Sequence, residues 1–392
     1  MNEDGQQASS HPRVAVPLHP AAGQTQKHHG FRSNQRFWSL PPPTGGYPYR
    51  LRLEDILSPE EFARIGADEK LRFHLVGDTG GVKSPEPQQI VAWHMDEDFA
   101  ADPAPSFFYH LGDVVYYNGS YSEYYPQFYE PYAHYPAPIV AIPGNHDGDP
   151  LDPLIERSLA SFVSNFCAAY PHLTLEAQEV QRDAMVQPNV YWTLLAPYLT
   201  IVGLYTNVPE GGRLDQDQID WLAQELAEAP QGIGLAVACH HPIYSADAHH
   251  GGSAYMGAII DAAIAASGRR PDVVLTAHVH NYQRFTRTLE GKPLTYLVAG
   301  AGGYWHLHYM AKDDNGQPLQ VPWQVPGLEL VLESFVEDRH GYLRVTASER
   351  ELGFEYVTVP RPQESWRHGP VTVADSFTIP VASARSGRRR DG

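Results

Sequence analysis

The sequence predicts an α/β protein, and three observations carry that reading. Short apolar runs rich in Val, Leu, Ile and aromatics recur along the chain, and segments with apolar residues at helical spacing separate several of them. Hydrophobic residues make up 42% of the 392 residues, enough to fill a sizeable core and too many for a disordered or collagenous chain.

The elements follow in order. Residues 1–35 are polar and low in aliphatics and read as a disordered N-terminus; 36–70 read as a lead-in, with a Pro-Gly linker at 40–46. Within it, Ser58-Pro59-Glu60-Glu61 marks a helix start: Ser58 as N-cap, Pro59 at the first helical position, Glu61 closing a capping box. Buried strands are expected at 71–77, 106–112, 138–144, 195–205, 232–239, 272–277 and 295–300. Helices are expected at 88–98, at 217–227, where Ile219, Leu222 and Leu226 share a face, and at the Ala-rich 254–266. This alternation implies much parallel pairing. Beyond 325 the runs 328–335, 341–347 and 352–359 come without helices and predict antiparallel strands completing a second sheet. Residues 361–392 read as a C-terminal extension ending in a charged tail at 385–392.

Composition narrows the function. A formal net charge of -18, from 28 basic and 46 acidic residues, repels polyanions at long range and argues against nucleic acid as a partner. The two cysteines, Cys167 and Cys239, supply neither a disulfide framework nor a Cys-based zinc site. There is no apolar stretch of signal-peptide length near the N-terminus and no run long enough to span a bilayer, so the expectation is a soluble, cytoplasmic protein with no membrane partner. The 20 histidines are the unusual figure, and their positions decide which of them matter.

Five apolar runs stop at clusters of potential metal ligands: Gly77-Asp78-Thr79-Gly80, Gly112-Asp113-Val114-Val115-Tyr116, Gly144-Asn145-His146-Asp147, Cys239-His240-His241-Pro242 and His278-Val279-His280. Taken alone, a Gly-Asp pair is explained as a turn, and a His-x-His pair, whose alternate residues share a side, is equally compatible with a hydrogen-bonded structural role. In open α/β sheets, however, the functional crevice lies beyond the carboxyl ends of the strands. Five such turns at that edge converge in space, and their joint occurrence is hard to obtain by structural accident.

The ordered set GD, GDxxY, GNH, VxxH and HxH, over roughly residues 71–303, resembles the calcineurin-like metallophosphoesterases and within them is most similar to the purple acid phosphatases. The resemblance implies a four-layer α/β/β/α fold, with two mixed β-sheets packed face to face and helices outside, and a catalytic domain over 71–360. It implies two metal ions bridged by Asp113. One would be held by Asp78, Asp113, Tyr116 and His280, the other by Asp113, Asn145, His240 and His278. Such mixed oxygen and nitrogen ligation suits Fe, Mn or Zn.

Asp78 is followed by Thr79 where many relatives carry Asp-x-His, and Tyr116 stands where the purple enzymes place a phenolate; the missing His and the gained Tyr compensate each other. Eight tyrosines lie between Tyr116 and Tyr135, most of them packing or rim residues, and Tyr117 is the neighbouring rival for the ligand role. The resemblance further assigns His146 to orienting the phosphate without ligating. His249 and His250, nine and ten residues after His240, would contact phosphate and protonate the leaving group, the alternative being a solvent-facing loop before Gly251-Gly252. Ala277 departs from the Gly that the family has before its final His-x-His, and that methyl could tighten the turn. Gly300-Ala301-Gly302-Gly303 lacks the Lys and Thr/Ser of a P-loop and reads as a turn beside the site.

The implied function is hydrolysis of small phosphate esters by in-line attack of hydroxide supplied by the metal pair, without a covalent phosphoenzyme. An acid-phosphatase-like monoesterase is the first reading. A phosphodiesterase acting on cyclic nucleotides or phospholipid head groups is the alternative, and a non-catalytic metal-binding scaffold of the same fold is a third.

Overall fold

In the computed structural model, which describes residues 36–313, 315–364, 369 and 371–381, β1 (Arg50–Arg52) and α1 (Pro59–Asp68) lead into β2 (Leu71–Val76), α2 (Glu86–Glu97), β3 (Phe108–His110) and β4 (Ile139–Ala141). Two short helices follow, α3 (Asn145–Gly148) and α4 (Ala160–Phe166), then β5 (Trp192–Ala196), β6 (Leu199–Gly203), α5 (Gln216–Glu228) and β7 (Gly234–Ala238). The chain continues through α6 (Ala254–Ser267), β8 (Val273–Thr276), β9 (Tyr282–Leu289) and β10 (Lys292–Ala299). It closes with β11 (Trp323–Gln324), β12 (Leu330–Val336), β13 (Gly341–Ala347), β14 (Glu351–Thr358) and β15 (Thr372–Pro380). The expectations for 1–35 and for the tail at 385–392 fall outside the described residues.

Strand alternation sets the layers. Phe73 and Leu75 of β2, Tyr109 of β3 and Val140 of β4 point to one face and pack with Leu194, Ile201, Ala236, Leu275 and Leu297 of the other sheet. Val76, Phe108 and Ile139 point the opposite way, toward Ile90, Val91 and Met95 of α2. In the second sheet Val202, Leu235, Val237 and Val274 face outward and join Ile219, Leu222 and Leu226 of α5 and Ile259 and Ile260 of α6. Two stacked ring pairs cross between the sheets: Tyr109 with Trp192, centroids 5.8 Å apart, and Tyr282 with Tyr356 at 4.0 Å. The result is the expected four-layer α/β/β/α arrangement.

One sheet has nine strands in the order β1-β5-β6-β7-β8-β10-β9-β12-β11, the other six in the order β15-β14-β13-β2-β3-β4. Parallel cores, β2-β3-β4 in one and β6-β7-β8-β10 in the other, are flanked by antiparallel strands, so both sheets are mixed. The parallel cores position the candidate site, because their carboxyl ends carry every turn with candidate ligands.

The capping box of α1 forms as read: the Glu61 amide donates to Ser58 Oγ at 3.2 Å, and the Ser58 amide to Glu61 Oε2 at 3.1 Å. Three readings are corrected. The run 195–205 is two antiparallel strands, β5 and β6, because Pro197-Tyr198 turns the chain, with Tyr198 at φ 67°. The strands beyond 325 divide: β13 and β14 complete the six-stranded sheet as expected, whereas β12 pairs with β9 in the nine-stranded one. Strand β9 went unread because Tyr-Gln-Arg-Phe-Thr-Arg-Thr-Leu alternates instead of running apolar; it forms a hairpin with β10 through Glu290-Gly291, both at positive φ. Strands β1 and β15 extend the two sheets on either side of 71–360. Among the described residues no helix is long and apolar enough to cross a membrane.

Phe73 is 1% exposed between the sheets and stacks on Phe107 with centroids 4.6 Å apart. Phe73→Ala is expected to cost about 3–5 kcal/mol in urea unfolding, with a lower midpoint and an unchanged slope.

Candidate metal centre

Each of the five ligand-bearing turns leaves the carboxyl end of a parallel strand: Asp78 after β2, Asp113 after β3, Asn145 after β4, His240 after β7, and His278 and His280 after β8. Asp78, Asp113 and His278 occupy the left-handed region at φ 56°, 54° and 66°, a strained conformation for residues other than glycine that proteins tolerate chiefly where function requires it. Gly112, at φ 95°, fills a space in which a Cβ would lie 2.6 Å from the Gly144 amide nitrogen and 2.8 Å from His240 Nδ1.

Hydrogen bonds fasten the turns to one another. The Asp147 carboxylate accepts from the amides of Val114 and Val115, each at 3.1 Å, and of Gly144 at 2.8 Å, joining the β3 turn to the β4 turn. Gln127 holds the Tyr116 backbone on both sides, accepting from its amide and donating to its carbonyl at 2.8 Å. The methyl of Ala277 is accommodated because Gly77 faces it: a Cβ on Gly77 would lie 2.6 Å from that of Ala277.

The side chains converge. Tyr116 donates its hydroxyl to Asp78 Oδ1 at 3.0 Å and lies 3.4 Å from His280 Nε2, which is itself 3.5 Å from Asp78 Oδ1. On the other side, Asn145 Oδ1 is 3.1 Å from His240 Nε2 and 2.9 Å from His278 Nδ1, and Asp113 Oδ2 is 3.4 Å from His240 Nε2. One ligand atom each from Asp113, His240 and His278 lie within 4.8 Å of one another. Of the two adjacent tyrosines, Tyr116 is buried with its hydroxyl in the cluster, while Tyr117 is 38% exposed with its hydroxyl 3.4 Å from that of Tyr304.

The donor set suits cations. His240 Nδ1 donates to the Leu111 carbonyl at 2.9 Å and His280 Nδ1 to the His306 carbonyl at 3.1 Å, which turns both Nε2 atoms toward the oxygens of the cluster. Where burial keeps the ring neutral, as at His278 and His280, a ring lone pair faces the Asn145 and Asp78 oxygens, an arrangement a metal ion would resolve. Burial resists ionisation of Asp113, yet His240 and His146 hold its carboxyl well below the usual range. Burial pushes Asp78 up, opposed by His240 and reinforced by the Asp113 charge. Burial also works against a charged His240, but the Asp113 and Asp78 carboxylates override it and push the ring up to about 9. Burial lowers both His278 and His280, keeping their rings neutral, and raises Tyr116, with Asp78 adding to the rise.

The remaining candidates lie around this cluster. His146 gives its amide to Asp113 Oδ1 at 2.9 Å, and its Nδ1 is 2.8 Å from the Tyr117 carbonyl, so the ring stays outside the ligand set. His250 approaches the centre, its ring 4.8 Å from that of His278. His249 is exposed, and its ring reaches His308 at 5.4 Å.

Sequence reasoning missed two contributors. Glu210, after β6, places Oε1 3.0 Å from His250 Nδ1 and 3.4 Å from His278 Nε2; it too follows an apolar run, the signal that exposed the other five turns. His308 repeats the His-x-His spacing with His306 and packs against His280 and His250, with centroids 4.3 and 5.1 Å away. The Gly300–Gly303 turn separates that pair from the end of β10, so the apolar run does not lead directly to it.

The calcineurin-like phosphoesterase family profile matches residues 71–282, more than half of the chain, and the chain belongs to that family. No curated protein sequence matches it. Among solved structures, it is similar to the purple acid phosphatase PPD1 from yellow lupin (Lupinus luteus) seeds, at 16% identity and a TM-score of 0.55, over 79% of this chain and 54% of that one. It therefore spans about half the length of the lupin enzyme. It is also similar to GAP50, the anchor in the inner membrane complex of Plasmodium, at 13% identity and a TM-score of 0.54, covering 81% of this chain and 90% of that one. For the structure of PhoD the figures are 15% identity, a TM-score of 0.51, and 82% and 73% coverage. These likenesses establish the fold.

Behind the centre, His110 Nδ1 accepts from the Gly112 amide at 3.1 Å while its Nε2–H donates to Thr79 Oγ1 at 2.8 Å, a pattern that requires the neutral ring. Burial lowers the ring to about 3, partly opposed by Asp113. An unfolded chain takes up this proton near pH 6.5. The stability tied to neutral His110 is thus complete above pH 6.5 and is lost as the pH falls toward 3. Urea midpoints at pH 7, 5 and 4 should drop further for the wild type than for His110→Gln.

Proposed function

We propose that this chain is a binuclear metal-dependent phosphoesterase acting on small phosphate monoesters. The observation that carries the reading is the convergence of two buried carboxylates, an amide oxygen, a tyrosine hydroxyl and three imidazoles whose inward atoms have no protein cation to satisfy them other than each other. In this reading Asp113 would belong to both ligand sets. Asp78, Tyr116 and His280 complete one ligand set; Asn145, His240 and His278 complete the other. Imidazole-rich sites of this kind suit Fe, Mn or Zn.

A metal pair, when bound, supplies Lewis acidity to the phosphate oxygens and makes hydroxide available near neutral pH. The chain's own groups do the rest. Asn145 contributes an oxygen without adding negative charge, so the centre keeps its attraction for an anionic ester. His146, its Nδ1 tied to the Tyr117 carbonyl, offers Nε2 to a phosphate oxygen and offsets charge that develops there. His250, its Nδ1 tied to Glu210, offers Nε2 to the departing oxygen and protonates it as the ester bond breaks; His249 lies farther out, where it meets the departing group. The histidines around the cluster favour a monoester, whose three free oxygens use more donors than the two of a diester.

Four measurements test this reading. Asp113→Ala should remove bound metal and lower hydrolysis more than about 100-fold, since even outer-shell partners of metal ligands are worth 10–100-fold. Retained metal and activity would reject the site. Chelation of the wild type should abolish turnover, and Mn, Zn or Fe should restore it. p-Nitrophenyl phosphate should be cleaved faster than its bis ester; the reverse preference would make the enzyme a diesterase. If the Tyr116 side holds ferric iron, protein purified without added metal absorbs visible light and Tyr116→Phe loses the band. A colourless wild type loaded with ferric iron would remove Tyr116 from the ligand set.

A further inference from the structure

One carboxylate outside all five motifs touches both halves of the proposed chemistry. Glu210 Oε1 lies 3.0 Å from His250 Nδ1 and 3.4 Å from His278 Nε2. The other nitrogen of His278, Nδ1, sits inside the cluster, 2.9 Å from Asn145 Oδ1. A single oxygen thus joins the outer nitrogen of a ring that faces the centre to the ring proposed to protonate the leaving group.

The arrangement is built from several directions. Glu210 occupies a turn closed by a 2.9 Å bond from the Gly212 amide to the Pro209 carbonyl, and the Arg213 amide binds the Thr206 carbonyl at 2.8 Å. Gly211 and Gly212 have φ of 77° and 76°, and a Cβ on Gly212 would lie 3.0 Å from Thr206 Cβ and 3.3 Å from His241 Cβ, so the loop is drawn tight against the β7 turn. Thr206 Oγ1 is 2.7 Å from His241 Nδ1, and the His241 ring packs 4.4 Å from that of His278. On the other side, Asp247 Oδ2 accepts from the amides of His249 and His250 at 2.8 and 2.7 Å, and His308 stacks on His250. Glu210 supplies the remaining constraint. With Nδ1 engaged, Nε2 is the one nitrogen His250 has left for an ester oxygen.

From this geometry we infer that Glu210 is a positioning residue that fixes His250 beside the leaving group and, through the same oxygen, orients His278 toward the metal centre. The inference rests on the phosphoesterase reading. It follows from general metal-site chemistry, in which a ligating imidazole gives its outer N–H to a carboxylate that sets its orientation and basicity. In this structure the carboxylate is shared with a second ring outside the proposed ligand set. Loss of Glu210 must therefore weaken metal binding and leaving-group protonation together.

The test compares the full-length wild type with Glu210→Ala, Glu210→Gln, His250→Ala and the Glu210→Ala/His250→Ala double variant. Manganese titration by calorimetry should show one of two ions bound about 10–100-fold more weakly in Glu210→Ala. Turnover of phenyl phosphate, with its poor leaving group, should fall by a larger factor than that of p-nitrophenyl phosphate. At saturating manganese the double variant should be no slower on phenyl phosphate than His250→Ala alone. Glu210→Gln keeps an oxygen to accept from His250 Nδ1 and should recover part of the turnover; it also carries the comparison if the alanine variant fails to fold. Wild-type manganese affinity in Glu210→Ala, or losses that multiply in the double variant, would overturn the inference. So would a fall from three bound ions to two, which would mean that Glu210, His250 and His278 hold a cation of their own. A wild type that binds two ions and hydrolyses no ester would sink the phosphoesterase reading instead, and the titration would still decide whether Glu210 supports His278.

Discussion

The Asp147 carboxylate, accepting the amides of Val114, Val115 and Gly144, determines how closely the turns after β3 and β4 can approach. Asp113 and Asn145 lie on those turns, and both must face the same small volume. Asp147 is buried, and its three amide bonds and the adjacent Asp113 charge pull its ionisation in opposite directions, burial itself raising it. A carboxylate so enclosed is costly without its partners. Gly112 makes the approach possible, since any side chain there would collide with Gly144 and His240. From this knot the rest follows: Asp113 is presented to His240, the Tyr116 backbone is held by Gln127, and the His146 amide is aimed at Asp113.

A second constraint turns the rings inward. Backbone carbonyls of Leu111 and His306 take the outer nitrogens of His240 and His280, and Glu210 takes that of His278. The inner nitrogens then meet only oxygens. Packing between the two sheets imposes this geometry, and within it the Asp113 carboxylate faces His240. The interlayer stacks of Tyr109 on Trp192 and Tyr282 on Tyr356 are part of that packing.

The candidate ligands were legible in the sequence because each is local: a glycine or other small residue, an abrupt end to an apolar run, and a potential ligand within two or three positions. The four-layer fold was legible through the family resemblance, since alternation alone predicts parallel pairing but not how strands divide between sheets. What escaped had physical causes. Pro197-Tyr198 turns the chain inside a run whose composition is continuous with its neighbours. Strand β12 joins the nine-stranded sheet through pairing with β9, a long-range choice that no local pattern records. That Gly77 leaves room for the Ala277 methyl is visible only across the crevice. Glu210 stands five residues beyond Tyr205 in a turn rich in Pro and Gly, where a carboxylate looks like ordinary surface polarity until His250 and His278 arrive from other strands.

The most direct test of the central claim is a crystal structure of the protein grown with manganese, with data collected at the metal's absorption edge. Two anomalous peaks roughly 3.5 Å apart, as two-metal centres show, bridged by Asp113 and flanked by Asp78, Tyr116 and His280 on one side and Asn145, His240 and His278 on the other, are predicted. A single peak, or ions bound away from Asp113, would contradict the account.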